Sequence, residues 1–158
     1  MAEVNKGRWM AQIDGDFVVF IIGARPNWLR LVRALRDLGG RRGMPYLLKK
    51  LSEDPEKGLL GYEQYGLGTV VQYWRSFEDL ERFAKSDDDP HLPAWRNYWK
   101  RVGRDPRSGI WHETYLVRAG EYEAVYGNMP AHGLAKAAEL VPIGADSSAR
   151  GRLRRLGA

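Results

Sequence analysis

The apolar positions of this chain change period several times, and each change predicts an element. Phe17 to Gly23 (FVVFIIG) is a continuous β-branched and aromatic run bounded by Asp16 and by Gly23-Ala24-Arg25-Pro26. A run of that kind predicts a central strand buried on both faces. Asn27 can then cap a helix in which Trp28, Leu31, Val32, Leu35 and Leu38 recur at helical spacing, with Gly39-Gly40 as the stop. A shorter helical piece, Tyr46 to Leu51, follows Pro45 and ends before Asp54-Pro55.

Leu59 to Tyr65 and Thr69 to Trp74 read as two strands, and Gly66-Leu67-Gly68 between them is a hairpin signal. Ser76 with Asp79 forms a capping box that opens a helix through about Ser86, with Phe77, Leu80 and Ala84 on one side. Asp87-Asp88-Asp89-Pro90 breaks it, a further helix covers His91 to Val102, and Gly103 to Gly109 is a turn-rich loop. Ile110 to Val117 alternates as a strand. Glu121 to Met129 is expected to be helical, with Tyr122, Val125, Tyr126 and Met129 on one stripe, and a weaker apolar segment spans Leu134 to Leu140. The resulting βαββαβ order predicts an α+β, ferredoxin-like domain. Such a domain leaves one face of its sheet uncovered by its own helices, so a homodimer of the dimeric α/β-barrel kind is expected.

Composition narrows the chemistry. At 158 residues the chain fits one domain, expected over 1–143, and the absence of cysteine excludes disulfides, zinc–thiolate sites and thiol nucleophiles. No apolar run approaches the ~20 residues that cross a bilayer, and the N-terminus lacks the pattern of a secretion signal. A cytoplasmic protein without membrane partners is therefore expected. The net charge of +5 gathers partly in 144–158, where Arg150, Arg152, Arg154 and Arg155 face one acid, Asp146. That basic tail is expected to be a disordered end, so no nucleic-acid partner is inferred from the charge.

Only three histidines occur, and without cysteine they are the acid/base and metal-ligand candidates near neutral pH. His91 starts a helix whose apolar stripe is Trp95, Tyr98, Trp99 and Val102, so its imidazole stands at the end of that stripe. His112 shares a strand face with Ile110, Thr114 and Leu116. A short loop joins the two elements, which makes them candidate neighbours in space. Each histidine also has a plain structural reading, as a partner of Asp87 to Asp89 or as a satisfied core group. His132, in a turn-like stretch, reads as structural or exposed. His112-Glu113 opens the HExxH pattern of zinc proteases, but Leu116 stands where the second histidine belongs. Gly66 and Gly68 lack the third glycine and the helix opening of a dinucleotide loop. Tyr73, Trp74, Trp95, Tyr98, Trp99 and Trp111 are candidates both for core packing and for a pocket that takes a small hydrophobic ligand. Of these, Tyr73, Trp95, Tyr98 and Trp111 are expected to bind substrate.

Arg8-Trp9, Asp14-Gly15-Asp16-Phe17-Val18-Val19-Phe20, His91-Leu92-Pro93-Ala94-Trp95-Arg96, Ile110-Trp111-His112-Glu113-Thr114-Tyr115 and Tyr126-Gly127-Asn128-Met129-Pro130 together resemble the monooxygenase-like family. That family includes the antibiotic-biosynthesis-type monooxygenase of the fumagillin pathway. Leu80-Glu81-Arg82-Phe83-Ala84 through His91-Leu92 to Trp111-His112-Glu113 is in addition similar to the haem-containing aldoxime dehydratases, whose chains are far longer and hold two ferredoxin-like halves. This second resemblance implies haem b as cofactor, with His91 as axial iron ligand and His112 as distal acid/base group. Arg96, with Arg75 and Arg101, is then a candidate partner for the propionates. The first resemblance also accommodates a cofactor-independent monooxygenase in which His112 is the base and Glu113 or a tyrosine assists. A third expectation is a non-catalytic, ligand-binding dimer.

Overall fold

A computed structural model describes residues 2–89, 91–144 and 148–157; Pro90, Asp146 and the side chain of Trp28 fall outside that description. Strand β2 (Phe17–Arg25) is the centre of the larger sheet. It pairs antiparallel with β4 (Thr69–Trp74) on one side and β5 (Gly109–Val117) on the other, while β3 (Leu59–Tyr65) extends the sheet beyond β4. The order β3-β4-β2-β5, with α1 (Leu31–Asp37) and α2 (Met44–Ser52) before the hairpin and α3 (Phe77–Lys85) and α4 (His91–Val102) after it, is the ferredoxin-like βαββαβ arrangement. The fold is therefore α+β and ferredoxin-like, as the periodicity predicts. No helix among the described residues is long and apolar enough to cross a membrane.

Alternation along the strands sorts their side chains. Val18, Phe20 and Ile22 of β2 align with Trp74, Gln72 and Val70 of β4 and with Leu116, Thr114 and His112 of β5, and this row faces the helices. The core there gathers Val18, Leu51, Trp74, Leu80 and Phe83, with the rings of Trp74 and Phe83 5.7 Å apart. The opposite face carries Val19, Ile21, Trp111, Glu113 and Tyr115. Trp111 lies over Gly23, where a Cβ would stand 2.3 Å from the indole nitrogen, so only glycine permits that packing.

A second sheet, of order β6-β1-β7, is built from β1 (Asn5–Gln12), β6 (Val125–Met129) and β7 (Glu139–Pro142). Two of these strands correct the periodicity. β1 is missed because Lys6, Gly7 and Arg8 interrupt any alternation, and Gly7 takes φ +89° where the pairing with β6 shifts. The helix expected over Glu121–Met129 is instead strand β6: Gly127 and Asn128, the latter at φ +51°, favour a helix weakly, and the β1 pairing overrides the apolar stripe. This sheet is anchored through the one-turn helix Gly133–Lys136, which packs on β3. Buried Glu63 accepts from the Gly133 amide and from Lys136 Nζ, each at 3.0 Å, and lies 2.9 Å from His132 Nδ1. Burial pushes that carboxyl up, but the Gly133 amide and the Lys136 ammonium outweigh it and hold it below its usual range.

Two further expectations change. The residues of the basic tail that are described do not form a disordered end: Ala149–Leu156 is helix α5, capped by Ser148, whose Oγ accepts from the Gly151 amide at 3.0 Å. Arg152 is buried there and pairs with Glu123 at 3.0 Å, which is why a basic segment orders. In α1 the buried residues are Ala34 and Asp37, while Val32 and Leu35 face solvent, because Asp37 is drawn inward by Arg107 at 2.9 Å.

Helix α3 starts as the capping box requires, with Ser76 Oγ accepting from the Asp79 amide at 3.1 Å. Ser76→Ala is expected to lower the unfolding free energy by about 1 kcal/mol, measured by urea denaturation.

Candidate functional site

Between the sheet and its helices lies a cavity of about 340 Å³. Phe20, Ile22, Gln72, His112 and Thr114 form the sheet side; Met44, Leu47 and Leu51 of α2, Phe77, Leu80, Glu81, Phe83 and Ala84 of α3, and His91, Leu92 and Trp95 of α4 form the rest. The volume is at the lower end of the ~300–1,000 Å³ usual for small-molecule sites. Its wall is mostly apolar, which suits a hydrophobic occupant. The two imidazoles expected to meet, His91 and His112, both line it.

Each imidazole is held differently. His91 Nδ1 is 3.3 Å from the carbonyl oxygen of Ala84, at the end of α3, and the ring lies 5.4 Å from that of Phe83. A carbonyl only accepts, so the neutral ring carries its proton on Nδ1 and keeps the Nε2 lone pair free. Burial holds the His91 pKa below its ordinary 6.5; the charge of a protonated His112 adds to this, while the Ala84 carbonyl and Asp89 act the other way without cancelling it. His112 stands on the edge strand β5, exposed, with its ring 5.3 Å from Phe20.

The remaining candidates separate into those that reach the cavity and those that do not. Trp95 lines it. Tyr98 does not: it is buried behind the helix and donates its hydroxyl to the Ser108 carbonyl at 3.2 Å. Tyr73 and Trp111 stand on the far face of the sheet, since their strand positions alternate with Gln72 and His112. Glu113 shares that far face, where it accepts from the Tyr115 hydroxyl at 2.6 Å, so it cannot assist His112. Arg96 is paired with Asp87 at the surface at 3.1 Å, and Arg75 and Arg101 are engaged with Asp79 and the Asp37 carbonyl. None of the three arginines lines the cavity. Phe20, Gln72 and Thr114 do, although the sequence marks only Thr114, as a neighbour of His112 on its strand face. The only signal available was their place in the same alternating rows as Ile22, Trp74 and His112. Among the described residues no group of three or more His, Asp or Glu side chains is arranged to hold a bare metal ion. His91 lines this cavity with no hydrogen bond at Nε2 among the described residues, so it is the residue that could hold a cofactor.

A family model described as monooxygenase af470-like matches residues 17–134, which span both histidines and the whole ferredoxin-like sheet. The chain belongs to the monooxygenase af470-like family. Monooxygenase af470 of Aspergillus fumigatus is 29% identical over 153 residues, covering 81% of this chain and 53% of the relative. The chain thus spans about half the length of that curated af470-like protein. Among solved structures, an aldoxime dehydratase in complex with butyraldoxime aligns with 81% of this chain and 40% of its own, at 17% identity and a TM-score of 0.47.

Because His91 takes up a proton less readily in the folded state than in the unfolded one, its contribution to stability is lost as pH falls through 6.5 toward the lowered value. His91→Gln removes that dependence. The stability of the wild-type chain relative to the variant, from urea unfolding at pH 7.5 and pH 5.5, is expected to decline at the lower pH. A gap that does not move with pH would contradict the burial of this imidazole.

Proposed function

We propose that this af470-like chain is a haem-binding, monooxygenase-like enzyme that acts on a small, largely apolar substrate in the cavity between His91 and His112. The observation that carries the reading is that both imidazoles line one apolar space while the other polar candidates of the sequence face elsewhere. The donor set fits the cofactor. His91 Nε2 is free and uncharged at neutral pH, and the Ala84 carbonyl fixes the ring through its other nitrogen, as metal-bound histidines are commonly fixed. His91 would hold the iron. When bound, haem supplies redox and Lewis-acid chemistry at its metal.

The chain's own residues then do the rest. Phe20, Phe83, Leu92 and Trp95 exclude water and favour a flat, apolar occupant. His112 gives a proton to, or takes one from, the substrate, and its solvent-exposed position on β5 lets it re-equilibrate between turnovers. Glu113 has no part in this, and Arg96 does not hold a carboxylate inside the cavity.

A second reading follows from the absence of any Lys or Arg among the described lining residues, which offers no cation there for a propionate. On it, the enzyme is a cofactor-independent monooxygenase with His112 as base. One experiment separates the two. The full chain is titrated with haem and its absorption spectrum recorded, with His91→Ala in parallel. The first reading expects a Soret band that His91→Ala shifts or abolishes. A missing band, or one indifferent to His91, overturns it; oxygen uptake with phenolic substrates by metal-free protein, lost in His112→Ala, then establishes the second.

A homodimer is proposed as well. On the far face of the sheet Trp111 is 44% and Tyr115 50% exposed, beside Val19 and Ile21, and a second copy covering that face would remove these apolar groups from water. Light scattering of the purified chain is expected to give twice the monomer mass, and a monomeric mass would refute the pairing.

A further inference from the structure

The cavity wall contains a buried amide whose hydrogen-bonding capacity is only partly used among the described residues. Gln72 is only 4% exposed, near the middle of β4, and its side-chain oxygen accepts from Trp74 Nε1 at 2.9 Å. An indole N–H donates and never accepts, so the amide must turn its oxygen to Trp74 and its NH2 the other way. That NH2 carries two donors. The partner it has among the described residues is Met44 Sδ at 3.8 Å, a weak acceptor that satisfies one of them at most. A buried donor without a good acceptor is costly, and here both Gln72 and Met44 line the cavity, where a ligand can supply what is missing.

We infer that Gln72 positions the substrate by donating a hydrogen bond from Nε2 to a neutral carbonyl-type oxygen on an otherwise apolar molecule. The inference rests on the reading of this cavity as the substrate site and names the chemical class it takes. Charge selects the neutral acceptor. Among the described residues no Lys or Arg lines the cavity, and the one acidic side chain there, Glu81, is bound to Lys85 at 2.7 Å. An anionic substrate would therefore surrender its hydration without gaining a cation. Register places the donor usefully too. Phe20 is paired with Gln72 on one side and its ring lies against His112 on the other, so an oxygen held by Gln72 is one aromatic ring away from the acid/base imidazole.

The test uses matched probes, acetophenone and ethylbenzene, which share size and shape and differ in one carbonyl. Binding of each to the full chain, in the cofactor state in which it is isolated, is measured by calorimetry, with phenylacetate as the anionic control. The wild-type chain is expected to prefer acetophenone by about five- to tenfold, the effect of one net hydrogen bond, and to bind phenylacetate most weakly. Gln72→Met should bring the ratio of the two neutral probes close to one while leaving ethylbenzene within about twofold, a pattern that a merely structural loss would not produce. Should that variant fail to show a cooperative melt, Gln72→Glu keeps the acceptor for Trp74 and reads the same ratio, again expected to fall. Equal affinity of the wild-type chain for the neutral probes, or a preference that survives both substitutions, overturns the role of Gln72 alone. Failure of both neutral probes to bind removes the cavity as a substrate site and the inference with it, whatever the haem spectrum shows.

Discussion

The antiparallel register between β2 and β5 determines which side chains of β5 reach the cavity. Nine consecutive residues of β2, Phe17 to Arg25, face nine of β5 without a bulge. Because side chains alternate strictly along a strand, that pairing sends His112 and Thr114 to the helices and Trp111, Glu113 and Tyr115 away from them. A slip of one residue would exchange the imidazole for a carboxylate. The register is secured from both faces: Ile22 and Phe20 lie beside His112 and Thr114 within the domain, and Trp111 lies flat over Gly23 outside it.

Helix α4 brings the other imidazole to the same space by a different means. His91 is its first residue, so the ring can turn back toward the end of α3, and the Ala84 carbonyl there is one of the acceptors that a helix C-terminus leaves without an intrahelical donor. One contact thus meets two needs, completing the end of one helix and fixing the tautomer at the start of the next. The site owes its geometry to two elements that both belong to the main core, and not to a loop.

Much of this was legible in the residues. Every element of the βαββαβ unit announces itself through a run or a cap: FVVFIIG for β2, the glycines at 66 and 68 for the hairpin, Ser76 for α3, and the His91–Val102 stripe for α4. The pairing of His91 with His112 could be guessed because a short loop joins their elements. What could not be read was anything that depends on pairing between distant segments. Strand β1 has too few apolar residues to declare itself, β6 carries a helical stripe that its partner overrules, and α5 is ordered by a glutamate 29 positions away from Arg152. Within the site, the aromatic residues drew attention for their size, yet Tyr73 and Trp111 belong to the far face and Tyr98 to the packing behind α4. Gln72, one position from Tyr73, carries no signal of its own in the sequence, because an amide acquires meaning only when its neighbours show which of its atoms is already taken.

The irregular pairing of β3 with β4 has its own consequence for how the two sheets are joined. Leu59 lies opposite Trp74, yet Gly61 lies opposite Tyr73, so an extra residue is accommodated between them. The offset lets Leu59 join the core while Gly61, lacking a side chain, admits the Lys136 carbonyl where a Cβ would be 2.7 Å away. The accommodated residue thus serves as an adapter between two modules: without it, the parity of the strand would match only one of them. Length changes in this protein are accordingly unequal in kind, absorbed at the solvent-facing hairpin tip around Leu67 but disruptive to both modules when they fall between positions 59 and 61.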